Sequence, residues 1–328
     1  MDAFAQFIRQ ANEYGKQKLP FFFLVDFECR NPLIVPLGEA AQRGIYFDIR
    51  GRTNVERDGK VSMPPFWLRT EPMAAEDYRR GFEIVRRELQ KGNSYLLNLT
   101  YPTPIYTNYT LKQIFQSAEA AYKLLLEDQF VCFSPESFIK IAQNKIYTYP
   151  MKGTIDAATE NAQQLLLGSE KERREHYTIV DLMRNDLASV ATGIKVERFR
   201  YPEEVRTGRG AILQTSSEIS GSLAADWRQH IGTILSRLLP AGSVSGAPKE
   251  RTLSIIRQAE AQARGYYSGV FGIFEGDRLQ SAVAIRFIRR HKDRLFFHSG
   301  GGITLQSRAE EEYQELLRKV YVPLRGKD

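Results

Sequence analysis

Lys152 stands in the run Y-T-Y-P-M-K-G-T-I-D, residues 147–156, just after a strand-like alternation and just before a glycine. A lysine that a backbone or ligand can approach closely is either a solvated charge or a working amine. To act as a nucleophile it must be neutral, so desolvation or a nearby cation has to lower its pKa. Two further runs carry paired carboxylates. Glu172 and Glu175 lie three apart in K-E-R-R-E-H; Glu312 and Glu315 lie three apart in E-E-E-Y-Q-E-L-L-R-K, with Lys319 four residues beyond. On helices, each pair shares a face. Two such faces brought together would present oxygen ligands only, which suits Mg²⁺. The same spacing equally serves solvated helix faces with basic partners one turn away.

Two glycine segments could approach a ligand. P-A-G-S-V-S-G-A-P-K (240–249) places Ser245, Gly246 and Pro248 just ahead of a predicted helix, where an anion can rest on free N–H groups. It is not a P-loop, because Ala-Pro separates Gly246 from Lys249 and Glu250 follows. S-G-G-G-I-T (299–304) reads either as backbone meeting a ligand or as a tight turn. The histidines, His176, His230, His291 and His298, form no H-x-x-x-H, and there is no G-x-S-x-G elbow. That argues against a Ser-His-Asp hydrolase and leaves lysine, carboxylates, metal or cofactor to carry the chemistry.

The elements that must position these residues alternate in blocks. A helix is predicted over 74–91, with Tyr78, Phe82, Val85 and Leu89 on one face and Gly92-Asn93 as its stop. Strands are predicted at 21–27, 45–49, 94–100, 130–134, 138–141 and 145–149, then at 194–199, 211–219, 270–274, 281–288 and 294–299. Long helices are predicted at 170–191, 248–263 and 308–320. Blocks of this kind favour an α+β fold with antiparallel sheets over a doubly wound one. No linker, repeat or low-complexity stretch interrupts the 328 residues, so 1–328 is expected to be one catalytic domain, with 1–70 completing the sheet.

Composition narrows the classes further. The chain is 42% hydrophobic and 26% charged, as soluble globular proteins are. Its net charge of +7 is spread out; the densest cluster, at 79–88, is interleaved with acids and apolar residues, which does not suggest nucleic-acid binding. No apolar run is long enough for a membrane span, and the first 20 residues hold no apolar signal region. Cys29 and Cys132 lie far apart, with no C-x-x-C. A reducing, cytoplasmic setting is expected.

Taken in order, the segments resemble the chorismate-utilising enzymes. They are G-N-S-Y-L-L-N-L-T (92–100), F-S-P-E-S-F (133–138), P-M-K-G-T-I (150–155), K-E-R-R-E-H-Y-T-I-V-D-L-M-R-N-D-L (171–187), L-P-A-G-S-V-S-G-A-P-K (239–249), G-Y-Y-S-G-V-F-G (265–272), A-I-R-F (284–287), and G-G-G-I-T-L-Q-S followed by E-x-x-E-x-x-x-K. The resemblance spans roughly 75–320. S-G-A-P-K is similar to the amine-transferring branch. P-M-K-G-T resembles the P-I-K-G-T of the aminodeoxychorismate synthases rather than the P-I-A-G-T of the anthranilate synthases. Anthranilate and isochorismate synthesis remain the alternatives.

The resemblance implies a set of roles. The Lys152 amine adds to C2 of chorismate as the C4 hydroxyl leaves, with Glu136 of S-P-E as the proton donor; ammonia then enters at C4 and expels the lysine. Mg²⁺ is held by Glu175 and Glu315, with Glu172 and Glu312 in support. Tyr267 and Arg286 meet the enolpyruvyl carboxylate, Gly300, Gly301 and Gly302 offer backbone N–H groups, Lys319 reaches a carboxylate oxygen, and Thr154 lines the substrate site. Gln214 stands where the family usually has histidine, so it can hydrogen-bond a substrate but cannot carry a proton. The chain shows no glutaminase features, so its ammonia is expected from a separate glutamine amidotransferase subunit.

Overall fold

The structure is a computed structural model and describes residues 2–55, 63–207 and 210–324. Two nine-stranded antiparallel sheets dominate it, flanked by helices, which is the expected α+β class. The first sheet runs, by strand, Met151–Asp156, Gly210–Ser222, Lys145–Thr148, Ser137–Ala142, Leu279–Val283, Val270–Phe274, Phe21–Val25 and Leu33–Pro36, with Thr192–Thr207 also paired to Gly210–Ser222. The second runs Gly246–Ala247, Leu96–Thr107, Arg294–Ile303, Phe287–His291, Phe130–Ser134, Tyr122–Leu126, Ile45–Ile49 and Arg52–Thr53, with Leu68–Thr70 paired to Leu96–Thr107.

Strand Phe21–Val25 is buried on both faces, and its alternation shows how the layers stack. Phe22 and Leu24 join Ile45, Phe47, Leu124, Phe271 and Ile273 in a core between the sheets. Phe21, Phe23 and Val25 point the other way, into a core shared with helices. The predicted face of helix Ala75–Gln90 enters that second core: Tyr78, Phe82, Val85 and Leu89 are all buried. An ion pair is buried in the same region. Arg264 meets Glu260 Oε1 at 2.6 Å and donates to the carbonyls of Val244 and Asn98, while Glu260 accepts from the N–H and hydroxyl of Thr100.

Three features of the chain path bear on the site. The predicted strand 281–288 is two strands: Leu279–Val283 in the first sheet and Phe287–His291 in the second. The chain crosses between sheets at residues 284–286, where Arg286 takes a left-handed φ of 53°. A second crossing runs alongside, from Phe130–Ser134 to Ser137–Ala142, and Glu136 sits on it, at the end of the strand that forms a hairpin with Lys145–Thr148. Two backbone hydrogen bonds tie the crossings together: Val283 N–H to Glu136 O at 3.1 Å and Phe133 N–H to Arg286 O at 3.1 Å. Third, Lys152 lies past a break in its strand. Lys145–Thr148 stops ahead of Pro150, and Met151–Asp156 resumes the same ladder on Gly210–Ser222 in the same register. Helices Ala3–Lys16 and Ile231–Leu238 and strand Tyr122–Leu126 are additional elements that the sequence reading did not assign.

Candidate active site

Lys152 is positioned by a bulge. Its strand pairs with Gly210–Ser222, and the register slips between Lys152 and Thr154, so Gly153 is the extra residue. Gly153 has φ +83°, and a Cβ there would lie 2.8 Å from Glu172 Oε2. A side chain at this position would be strained in backbone and would displace a carboxylate. The bulge aims Lys152 at helix Glu170–Ala188, where its Nζ lies 2.9 Å from Glu175 Oε2.

The second pair of glutamates arrives from helix Ala309–Arg318. The glycine run at 300–302 is neither a turn nor a loop; it is regular strand, paired with Thr100, Leu99 and Asn98. Its bare backbone makes room. A Cβ on Gly301 would come within 3.2 Å of Glu315 Oε1 and 3.3 Å of Glu312 Oε2, and one on Gly302 within 3.7 Å of Lys152 Nζ. Lys319 closes the group, pairing with Glu315 at 2.6 Å and donating to Gly300 O at 2.8 Å. The structure therefore brings Lys152, Lys319, the four glutamates and the three glycines into one neighbourhood.

Charge in that neighbourhood runs against the expected nucleophile state. Desolvation pulls the Lys152 amine down, but Glu175, Glu315 and Glu172 outweigh it, and its pKa is raised. Lys319 goes the other way: desolvation lowers it despite Glu315, with Arg286 and Lys152 adding repulsion. Glu312 is raised by desolvation, with Glu315 repelling it. Among the described residues, no three carboxylate, histidine or cysteine groups stand close enough together to clasp an ion. Glu175 and Glu315 are each held by a lysine instead. The donors gathered here are carboxylate oxygens, the ligand type that a hard divalent cation takes.

Glu136 is tied in from the crossing. Ser243 donates to its Oε1 at 2.5 Å. Burial raises its pKa, against the opposing influence of Ser243, Arg286 and Lys319. A carboxyl whose pKa is raised is suited to general-acid work. The sequence reading named Ser245, Gly246 and Pro248 in this segment but not Ser243. Ser245 is buried and hydrogen-bonds Ala241 O; Gly246 passes so near Leu96 O that a Cβ would reach 2.0 Å; Lys249 pairs with Asp186 at 3.1 Å. These residues brace the site, and the helix N-terminus there serves packing.

The other expected substrate residues divide. Thr154, Gln214 and Arg286 line a cavity of about 760 Å³, together with Tyr149, Tyr201 and Glu203. That is within the usual range for a small-molecule pocket. Gln214 donates from Nε2 to Glu203 Oε2 at 3.3 Å, and Ser216 donates to the same oxygen at 2.8 Å. Arg286 lies over the ring of Tyr321 at 5.2 Å. It is also close enough to Glu136 and Lys319 to bias their ionisation, which links the cavity to the lysine group. Tyr267 is only 4% exposed and packs against Phe287 and His298 in the intersheet core, away from the cavity wall.

The chain matches the family model described as chorismate binding enzyme over residues 42–325. It is 60% identical over 318 residues to an uncharacterised PabA-like protein of Pasteurella multocida, covering 97% of this chain and 98% of that protein. It is 33% identical over 263 residues to aminodeoxychorismate synthase component 1 of Klebsiella aerogenes, covering 76% of this chain but 57% of that protein. Among solved structures, anthranilate synthase component I of Streptococcus pneumoniae superposes with a TM-score of 0.66 at 25% identity, over 79% of this chain and 60% of that one. No described helix is long and apolar enough to cross a membrane. With its motif order, its antiparallel sandwich and this match, the chain belongs to the chorismate-binding enzyme family.

Proposed function

We propose that this chain is an aminodeoxychorismate synthase of the component 1 type, converting chorismate and ammonia to 4-amino-4-deoxychorismate and water, a step towards 4-aminobenzoate and folate. The observation that carries the reading is the lysine that sets P-M-K-G-T apart. Lys152 projects from a bulge into the carboxylate group, facing Gly302. In this reading the Lys152 amine forms a bond to C2 of chorismate, the ring double bond shifts, and the C4 hydroxyl leaves as water with the proton of Glu136. Ammonia then bonds to C4, the double bond shifts back, and Lys152 departs. Lys152 is protonated while paired, so it must first surrender a proton, and Glu175 at 2.9 Å is the nearest acceptor. Arg286, near enough to Glu136 and Lys319 to bias their ionisation, would hold a substrate carboxylate, with Thr154 in support. Mg²⁺, held by Glu175 and Glu315 with Glu172 and Glu312 in support, would neutralise a substrate carboxylate. Ammonia is supplied by a glutamine amidotransferase subunit.

The test is a chromatographic product assay with chorismate, Mg²⁺ and concentrated ammonium at mildly alkaline pH, with and without an aminodeoxychorismate lyase. 4-Aminobenzoate formed only when lyase is present supports the reading. Anthranilate and pyruvate without lyase overturn it in favour of anthranilate synthesis, the activity named for the solved structure above. Isochorismate overturns it in favour of water as the nucleophile.

A further inference from the structure

Helix Glu170–Ala188 grips Lys152 at two points. Glu175 takes the amine, and the next residue, His176, reaches the backbone through Thr215. The His176 ring is fully buried, with Nδ1 3.4 Å from Thr215 Oγ1, and that hydroxyl donates to the Lys152 carbonyl. On its other side, His176 Nε2 lies 2.7 Å from Ser217 Oγ, which itself accepts from Arg200 N–H at 2.9 Å. With the Ser217 hydroxyl donating to Nε2, Nδ1 carries the ring proton and faces Thr215 Oγ1, through which the ring reaches the Lys152 carbonyl. Phe199 packs edge-on to the ring at 5.5 Å and fixes its plane. The carbonyl so held lies where the register slips, at the point where a ladder cannot hold it regularly.

We infer that His176, braced by Ser217 and aided by Thr215, is the positioning residue that fixes the Lys152 backbone at the bulge and so aims its amine. This rests on the reading of Lys152 as the reacting amine. The inference concerns hydrogen bonding to a carbonyl, and no proton moves through the histidine.

Two substitutions separate the two ring nitrogens. The amide of His176→Asn can replace Nδ1 at Thr215 Oγ1; that of His176→Gln reaches the Ser217 side instead. Aiming errors of about 1 Å cost on the order of 10²-fold in rate. His176→Gln is therefore expected to lose about 10²-fold in kcat for amination with KM for chorismate changed less than about 3-fold, while His176→Asn stays within about 5-fold of the parent. Thr215→Val, which removes the hydroxyl between ring and carbonyl with little change of shape, is expected to lose about 10-fold in kcat and decides the matter if His176→Gln does not fold.

The second readout needs no turnover. Acetylation of Lys152 by an N-hydroxysuccinimide ester, followed by peptide mass spectrometry on unliganded protein, should change several-fold in His176→Gln and Thr215→Val but not in His176→Asn. Equal losses in the Asn and Gln variants, or Lys152 labelling unmoved in both His176→Gln and Thr215→Val, would overturn the inference. If the parent chain fails to aminate chorismate, the functional reading falls, and the labelling comparison still decides the positioning role.

Discussion

Two ion pairs in this molecule look alike on paper and differ in kind. Arg264 and Glu260 have side chains 2% and 1% exposed, and nearly every polar atom is spoken for: two carbonyls and a backbone N–H share the load with the pair itself. Lys152 and Glu175 are 30% and 21% exposed, joined by a single contact, with further carboxylates close by. The first pair has one arrangement. The second sits in a group with more anionic oxygens than ammonium donors, so its partners can be exchanged. A saturated pair holds the fold, and an unsaturated one is available for chemistry.

The sharpest way to break that contrast is to disrupt each pair and read both stability and activity. Lys152→Ala should lower amination by about 10⁴-fold, the scale seen when a covalent catalyst is removed, while its melting temperature drops less than that of Glu260→Gln. Glu260→Gln leaves Arg264 buried without its counter-charge and should cost about 3–5 kcal/mol, read from denaturant unfolding. Near-parental turnover in Lys152→Ala would end the covalent-lysine reading. Near-parental stability in Glu260→Gln would end the distinction between the pairs.

A smaller effect sharpens the same comparison at the general acid. Glu136→Gln removes the proton that the leaving hydroxyl needs and should reduce kcat by about 10²–10⁴-fold. Because burial raises the pKa of Glu136, the parent should lose activity on the alkaline side as that proton dissociates, and the variant's residual rate should lack this limb. An alkaline limb that persists unchanged in the variant assigns it to another group.

The smallest effect is on stability against acid, and each region holds one histidine that reports it. Burial lowers His176, beside the lysine, to about 4, and lowers His298, which feels Arg264, to about 3. Unfolded histidine takes up its proton near pH 6.5, about two or more units earlier. The unfolded chain therefore binds more protons in that window: stability is full above about pH 6.5 and is lost as pH falls towards about 4, at about 1–3 kcal/mol per unit for the two together. Urea midpoints at pH 7, 6 and 5 test this, and a flat profile to pH 5 would refute the buried neutral state of both rings.

How much of this could be read from the sequence depended on whether the cause was local. The buried face of Ala75–Gln90 was legible because helical periodicity is written into one segment. So were the glutamate pairs, whose spacing alone puts them on one face. Helix Ala3–Lys16 carried a comparable signal, with Asp2 as cap and Phe7, Ala11 and Gly15 buried in sequence, but its polar residues masked the stripe. The crossings were not legible. Residues 281–288 read as one strand-like stretch, and nothing in it says that the two halves pair with different sheets. Ser243 and His176 were missed for the same reason: their partners, Glu136 and the Thr215 hydroxyl, are distant in sequence and meet them only in the fold. The raised pKa of Lys152 was not legible, because motif reading supplied the burial but not the number of carboxylates around the amine.

The paired crossings have a mechanical consequence. Glu136 and Arg286 sit where the two sheets are covalently stitched and cross-bonded, so they travel together when the sandwich breathes. Lys152 belongs to the same stitch: Lys145–Thr148 and Met151–Asp156 follow end to end along Gly210–Ser222 in one register, and Lys145–Thr148 also pairs with Ser137–Ala142, the strand that leaves the crossing at Glu136. The line of chain that carries the amine therefore runs beside the strand that carries the acid, so the two are held by one ladder.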